Sequence, residues 1–161
     1  MAETKEETEI IIKHYTDSIH YELAQTSRLM KMLGKQLFEK LAICITPDEY
    51  ATLDTISINA GICQRDLAKL LIKDRANTGR MLDSLEQKGF ITRFIDTKNN
   101  RLVKKMGITE EGYKELNSIN SKIKQYFESI TRKIPRENFI KVQKALRIFR
   151  LELEEIVETN I

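Results

Sequence analysis

The chain has 161 residues, 41% hydrophobic and 32% charged, with a formal net charge of +3. This is enough apolar material for one ordinary domain with helical extensions and too much for a disordered chain. No apolar run approaches the ~18 residues of a membrane span, the opening MAETKEETEI is acidic and unlike a secretory leader, and Cys44 and Cys63 make neither a disulfide framework nor a metal-spaced cluster, so a soluble, cytoplasmic protein is expected.

Residues 6–41 are predicted as one long helix with a late bend. Ile12, Tyr15, Ile19, Leu23, Thr26, Met30, Leu33 and Leu37 recur every three or four positions. Ile10 and Ile11 beside Ile12 exceed what one apolar stripe needs and suggest a second packing partner. A second helix opens at Thr46-Pro47-Asp48-Glu49, a capping box with Pro at N1, and runs through Tyr50, Leu53 and Ile56 to about Ser57. Asn59-Ala60-Gly61 ends it.

A short helix from Gln64 to about Ile72 follows, with Leu67, Ala68, Leu70 and Leu71 as its apolar side. After Lys73-Asp74 comes a helix from about Ala76 to Gln87, stopped at Lys88-Gly89 with Gly89 as the C′ residue. Its opening turns hold Asn77, Thr78 and Gly79, all poor helix formers. A Gly in a helix interior costs ~1 kcal/mol relative to Ala, so something besides helix stability shaped this segment.

Two β-prone runs, 90–95 and 102–108, flank the polar cluster Asp96-Thr97-Lys98-Asn99-Asn100-Arg101, the pattern of a hairpin. Thr109 then caps a helix through Tyr113, Leu116, Ile119, Ile123, Tyr126, Phe127 and Ile130. Pro135 opens the last helix, with Phe139, Val142, Leu146, Phe149, Leu153 and Ile156 on its apolar side.

The fold class expected is mainly α with a small β-hairpin wing: a winged helix-turn-helix at 46–109, between an N-terminal dimerisation helix (1–41) and C-terminal dimerisation helices (110–161), all one structural unit. Charge follows the same division. Residues 61–109 hold eleven Lys and Arg against five acids, a net +6, which leaves −3 for the remainder. A basic centre between acidic flanks fits a nucleic-acid-binding module in a scaffold, and a solvated charged face is the plainer alternative. In a helix-turn-helix the second helix enters the major groove, and its N-terminal residues meet base edges. Arg75, Asn77, Thr78, Gly79, Arg80 and Ser84 are the candidate contacts there. Asn can pair with adenine and Arg with guanine or phosphate, and Gly79 would let the backbone approach closely. Arg65 and Lys69, on the helix that crosses the backbone, are candidate phosphate contacts.

RDLAKLL, NTGRMLDSLEQKGFITR, a polar wing and MGITEEGYKEL together resemble the multiple antibiotic resistance regulator (MarR) family across about residues 10–158. The run from Leu85 to Arg93 followed by Ile108-Thr109-Glu110-Glu111-Gly112 is the specific part. The resemblance implies a homodimeric transcriptional regulator, a repressor, on a pseudo-palindromic double-stranded DNA site. It implies release by a small effector, often phenolic or lipophilic, or by cysteine oxidation. It also implies that Arg101 reaches into the minor groove from a wing formed with Lys98, Asn99 and Asn100.

Where the family has Asp-x-Arg in the wing, this chain has Asn99-Asn100-Arg101, and Asp96 is the candidate replacement for the missing acid. The second wing strand is one residue longer than usual, and Gly79 replaces a common Ser or Thr. Cys63, at the cap of the first motif helix, is either a candidate redox sensor or a small residue tolerated at a cap. Cys44, between Ile43 and Ile45, reads as buried packing. His14 and His20 do not share a helix face, so no metal is expected. Phosphate-loop, nucleophile-elbow and zinc-protease motifs are missing from the sequence, so neither cofactor nor enzyme activity is expected. The rival reading is a helical dimeric interaction protein or antirepressor whose winged domain docks a protein.

Overall fold

The computed structural model describes residues 14–98, 101–132 and 135–157, with the backbone alone for Lys98, Arg101 and residues 129–131. The chain divides into two units, Met1–Pro47 and Asp48–Ile161.

In the first unit a single 3-10 turn, Tyr15–Asp17, precedes helix α1, Ile19–Lys40. The predicted helix over 6–41 is therefore interrupted at Ser18. The Ser18 hydroxyl donates to the Tyr15 carbonyl at 2.6 Å and accepts from the Tyr21 N–H at 3.3 Å. A serine that bonds its own backbone in this way starts a helix rather than continuing one. Ile10, Ile11 and Ile12 lie outside the described residues. Leu37, Phe38 and Ile45 are buried, and Ala42 closes α1 in the left-handed region at φ 49°.

The second unit holds the rest: α2 (Pro47–Ile58, within this unit from Asp48), α3 (Gln64–Leu70), α4 (Arg75–Gln87), strands β1 (Ile91–Lys98) and β2 (Arg101–Ile108), α5 (Glu110–Thr131) and α6 (Arg136–Ile156). Its core is built from Leu53 and Ile56 of α2, Leu67 and Ala68 of α3, Met81, Leu82 and Leu85 of α4, Ile91 and Met106 of the hairpin, and Leu116 and Ile119 of α5. This is the mainly helical, hairpin-bearing architecture expected. Glu49, predicted as the capping-box acid, is buried, and both its oxygens accept from Lys88 Nζ at 3.0 Å, which ties α2 to the end of α4.

α3 ends at Leu70, short of the predicted Ile72. Ile72 sits at φ 50°, a left-handed conformation costly for a β-branched residue, and this reverses the chain into α4. α4 begins one residue earlier than predicted, because Asp74 is its N-cap and accepts from the Asn77 N–H at 2.7 Å. Gly89, at φ 76°, provides the predicted C′ turn.

The strands are longer than predicted. They pair antiparallel from Ile91↔Ile108 to Lys98↔Arg101, so Asp96, Thr97, Lys98 and Arg101 belong to the ladder and not to a loop. The cause is local. Lys105 Nζ donates to Asp96 Oδ2 at 2.6 Å, drawing this polar cluster into the hairpin. Thr109 joins hairpin to helix. Its hydroxyl donates to the Gly89 carbonyl at 2.7 Å and accepts from the Gly112 N–H at 3.0 Å, while its own N–H donates to the Phe90 carbonyl at 3.0 Å.

Candidate nucleic-acid interface

Helix periodicity divides the surface of α4. Thr78, Met81, Leu82 and Leu85 are buried, so Ala76, Arg80, Asp83 and Gln87, on the opposite side, form the exposed stripe. Arg75 is exposed at the first turn, and Asn77 and Ser84 are half-buried on one flank.

Two expectations for this helix change. Thr78 is 0% exposed, and its hydroxyl donates to the Asp74 carbonyl at 2.8 Å, so it faces the core and does not point outward toward a ligand. The β-branched side chain fills the seam behind the first turn, and that explains a poor helix former there. Gly79 is half-buried on the α3 side. A Cβ there would lie 3.2 Å from Gln64 Nε2, which itself donates to the Arg75 carbonyl at 3.2 Å. The missing side chain makes room for the crossing of α3 and α4, and not for an open approach to the outer face.

The basic residues fall into two groups. Arg65, Lys69, Arg75 and Arg80 are exposed around α3 and α4. Arg65 Nε lies 3.7 Å from Asp66, an exposed pair of little energetic weight. Lys73, Lys88, Arg93 and Lys105 are committed to the protein itself. Lys73 pairs with Asp48 at 3.0 Å, Lys88 with Glu49 at 3.0 Å, Arg93 with Asp83 at 2.6 Å and Lys105 with Asp96 at 2.6 Å. Sequence reasoning counts all eight alike, because charge alone does not reveal which partners meet after folding.

In the wing, Lys98 and Arg101 face each other at the last ladder pair, Asn99 and Asn100 lie outside the described residues, and Lys104 is exposed. The Asp96–Lys105 bond supplies an acid–base brace of the kind the sequence left to Asp96, with Lys105 as its cation. The hydrogen bond from Lys105, with the Thr97 N–H and the Lys105 charge adding to it, holds the Asp96 carboxyl below its ordinary value of 3.8. A depressed carboxyl pKa means the brace is complete above the ordinary Asp range and is lost only as pH falls through the lowered value. Amide hydrogen exchange over Ile95–Thr97, corrected for intrinsic rates, is therefore expected to stay flat from pH 8 to about 5. Loosening already near pH 6 would contradict the brace.

The wing root is also fixed from below. Cys63 pairs with Lys105 in an isolated antiparallel bridge, and the Met106 N–H donates to the Ile62 carbonyl at 3.0 Å. Cys63 is half-buried at the N-cap of α3 and makes no side-chain capping bond. Cys44 is exposed, which corrects its reading as buried packing. Among the described residues, no group of three or more His, Cys, Asp and Glu is placed to hold a metal ion, and no helix is long and apolar enough to cross a membrane. Sequence reasoning missed the roles of Asp83, Glu86 and Gly112. The available signals were two acids three apart on α4 with an Arg soon after, and a glycine three residues past a cap.

Residues 45–103 match the model of the MarR family. The chain is 32% identical over 93 residues to the uncharacterized HTH-type transcriptional regulator YybA of Bacillus subtilis (strain 168), a match that covers 58% of this chain and 60% of that protein. Its fold is similar to that of Staphylococcus aureus MepR in a MepR–DNA complex, with TM-score 0.68, 23% identity, and coverage of 87% of this chain and 99% of that one. It is likewise similar to a MarR-family transcriptional regulator from Rhodococcus sp. RHA1, with TM-score 0.72, 18% identity, and coverage of 83% and 93%. Those structural likenesses concern the fold, and the segment that resembles the MarR family runs from just ahead of α2 into the wing.

Proposed function

We propose that this protein is a DNA-binding transcriptional repressor that works as a homodimer on a pseudo-palindromic duplex site. The exposed stripe of α4 enters the major groove, with Arg80 reading bases and Asn77 and Ser84 at its edge. Arg65, Lys69 and Arg75 contact phosphates and set affinity without choosing sequence. The wing, with Lys98, Asn99, Asn100 and Arg101, lies over the adjacent minor groove, where narrow A·T tracts attract arginine. The observation that carries the reading is the cluster of exposed cations around the outer face of α4, on the segment that matches the family. A similar structure solved with DNA supports it.

The homodimer rests on a second feature. α6 has no buried residue, yet Phe139, Ile140, Val142, Leu146, Leu153 and Ile156 are all exposed along it. An apolar surface of that length on a soluble chain marks an interface, and an identical helix is its partner. The flanking helices, 1–41 and 110–161, provide the dimer contacts. Two-fold symmetry then sets two half-sites about one DNA turn apart. Release comes from a small phenolic or lipophilic effector that binds the DNA-free spacing of the two α4 helices more tightly.

Binding of a duplex at two salt concentrations tests this. Six phosphate contacts from two subunits predict a loss of roughly 10³-fold or more in affinity between 50 and 200 mM salt. Arg65→Ala with Lys69→Ala should flatten that dependence without changing sequence preference. A flat salt response, or capture of a protein partner by a winged domain indifferent to DNA, would reject the reading in favour of a protein-docking module.

A further inference from the structure

Among the described side chains, a cation of β1 joins the wing to α4. Arg93 reaches back from β1 with its side chain 18% exposed. Its Nη2 donates to Asp83 Oδ1 at 2.6 Å, and its Nε lies 3.4 Å from Glu86 Oε2. Asp83 and Glu86 stand one turn apart on α4, with side chains 63% and 44% exposed. Arg93 Nε is buried, and Glu86 stands within ion-pair distance of it without making a hydrogen bond. The guanidinium is therefore wedged between hairpin and helix.

Two consequences follow from the charges. Asp83 shares the exposed stripe with Arg80, so an uncompensated carboxylate there would repel a phosphate backbone; Arg93 neutralises it from behind. The pair also spans two elements whose junction is otherwise held by the Phe90 N–H donating to the Leu85 carbonyl at 3.0 Å and by the buried Leu85 and Ile91. Ion pairs as exposed as these contribute little to global stability, so the value of this one lies in geometry.

We propose that Arg93 is a positioning residue: by bridging Asp83 and Glu86 it fixes the wing relative to α4, so that helix and hairpin meet the duplex as one rigid reader. This inference rests on the DNA-binding reading above. It does not require Arg93 to touch DNA, and that separates it from the exposed cations.

The test uses the full chain as wild type, Arg93→Gln, and the reciprocal pair Arg93→Asp with Asp83→Arg. In the free protein, Arg93→Gln should speed amide exchange over 94–97 and 102–105 while Leu82 and Ile119 keep their protection, and the reciprocal pair should restore the wing. Duplex affinity of Arg93→Gln should fall about tenfold with an unchanged salt slope. Three results would overturn the proposal: unaltered wing exchange, loss of core protection along with wing protection, or a salt slope reduced by about one, which would make Arg93 a phosphate contact. If the wild type binds no duplex, the regulator reading fails, and the exchange experiment alone still decides whether Arg93 holds the wing.

Discussion

Gly112→Ala is expected to lower the unfolding midpoint by roughly 4–8 °C, although alanine is the better helix former. Gly112 lies in the first turn of α5, pressed against the corner where α4 gives way to β1. A Cβ at this position would stand 2.1 Å from the Phe90 carbonyl oxygen and 2.8 Å from Ile108 Cγ1. The first obstacle is backbone and cannot turn aside, and that same carbonyl already accepts from the Thr109 N–H. Forcing the helix away disturbs the Thr109 cap and the bond to Gly89. Overpacking of this kind costs about 3 kcal/mol, against a gain of at most ~1 kcal/mol in helix propensity. At about 2–4 °C per kcal/mol for a chain of this size, thermal unfolding followed by circular dichroism should show the drop clearly. A midpoint unchanged or raised would mean that α5 does not sit against Phe90 as described.

The second large effect is expected on recognition. Arg80 is exposed at the centre of the α4 stripe and has none of the ion pairs that occupy Lys73, Lys88, Arg93 and Lys105. If it reads a base edge, Arg80→Ala costs about 1–3 kcal/mol of discrimination, or roughly 10- to 100-fold in affinity for the preferred duplex. Non-specific binding should weaken far less. Competition between preferred and scrambled duplexes separates the two. An equal loss for both would reassign Arg80 to phosphate, and no loss would place α4 away from the groove. Thr78→Ser should leave recognition nearly unchanged, because Thr78 is buried against Asp74.

Much of this fold is legible in the sequence, for identifiable reasons. Helices with one apolar face announce themselves by spacing, and the order α3, turn, α4, hairpin follows from Asp74, Gly89 and the polar cluster before Leu102. The failures are equally specific. Ser18 interrupts a helix whose apolar periodicity runs straight through it, because a hydroxyl bonded to its own backbone leaves no trace in the spacing of Ile and Leu. The hairpin outgrows its predicted strands because Asp96 and Lys105, nine residues apart, meet only once the ladder forms. At the candidate site, composition identifies a basic centre but not its division, among the described side chains, into five exposed cations and four bound ones, and only the burial of Thr78 and the Gln64–Gly79 contact explain the weak opening of α4.

Whether α4 and the wing read duplex DNA is decided by selection of duplex sites from a random pool with the purified chain. Enrichment of a pseudo-palindrome whose half-sites are centred about one helical turn apart is expected, with the enrichment lost in Arg80→Ala. A pool that stays random after repeated rounds, with the protein folded and dimeric, would contradict it.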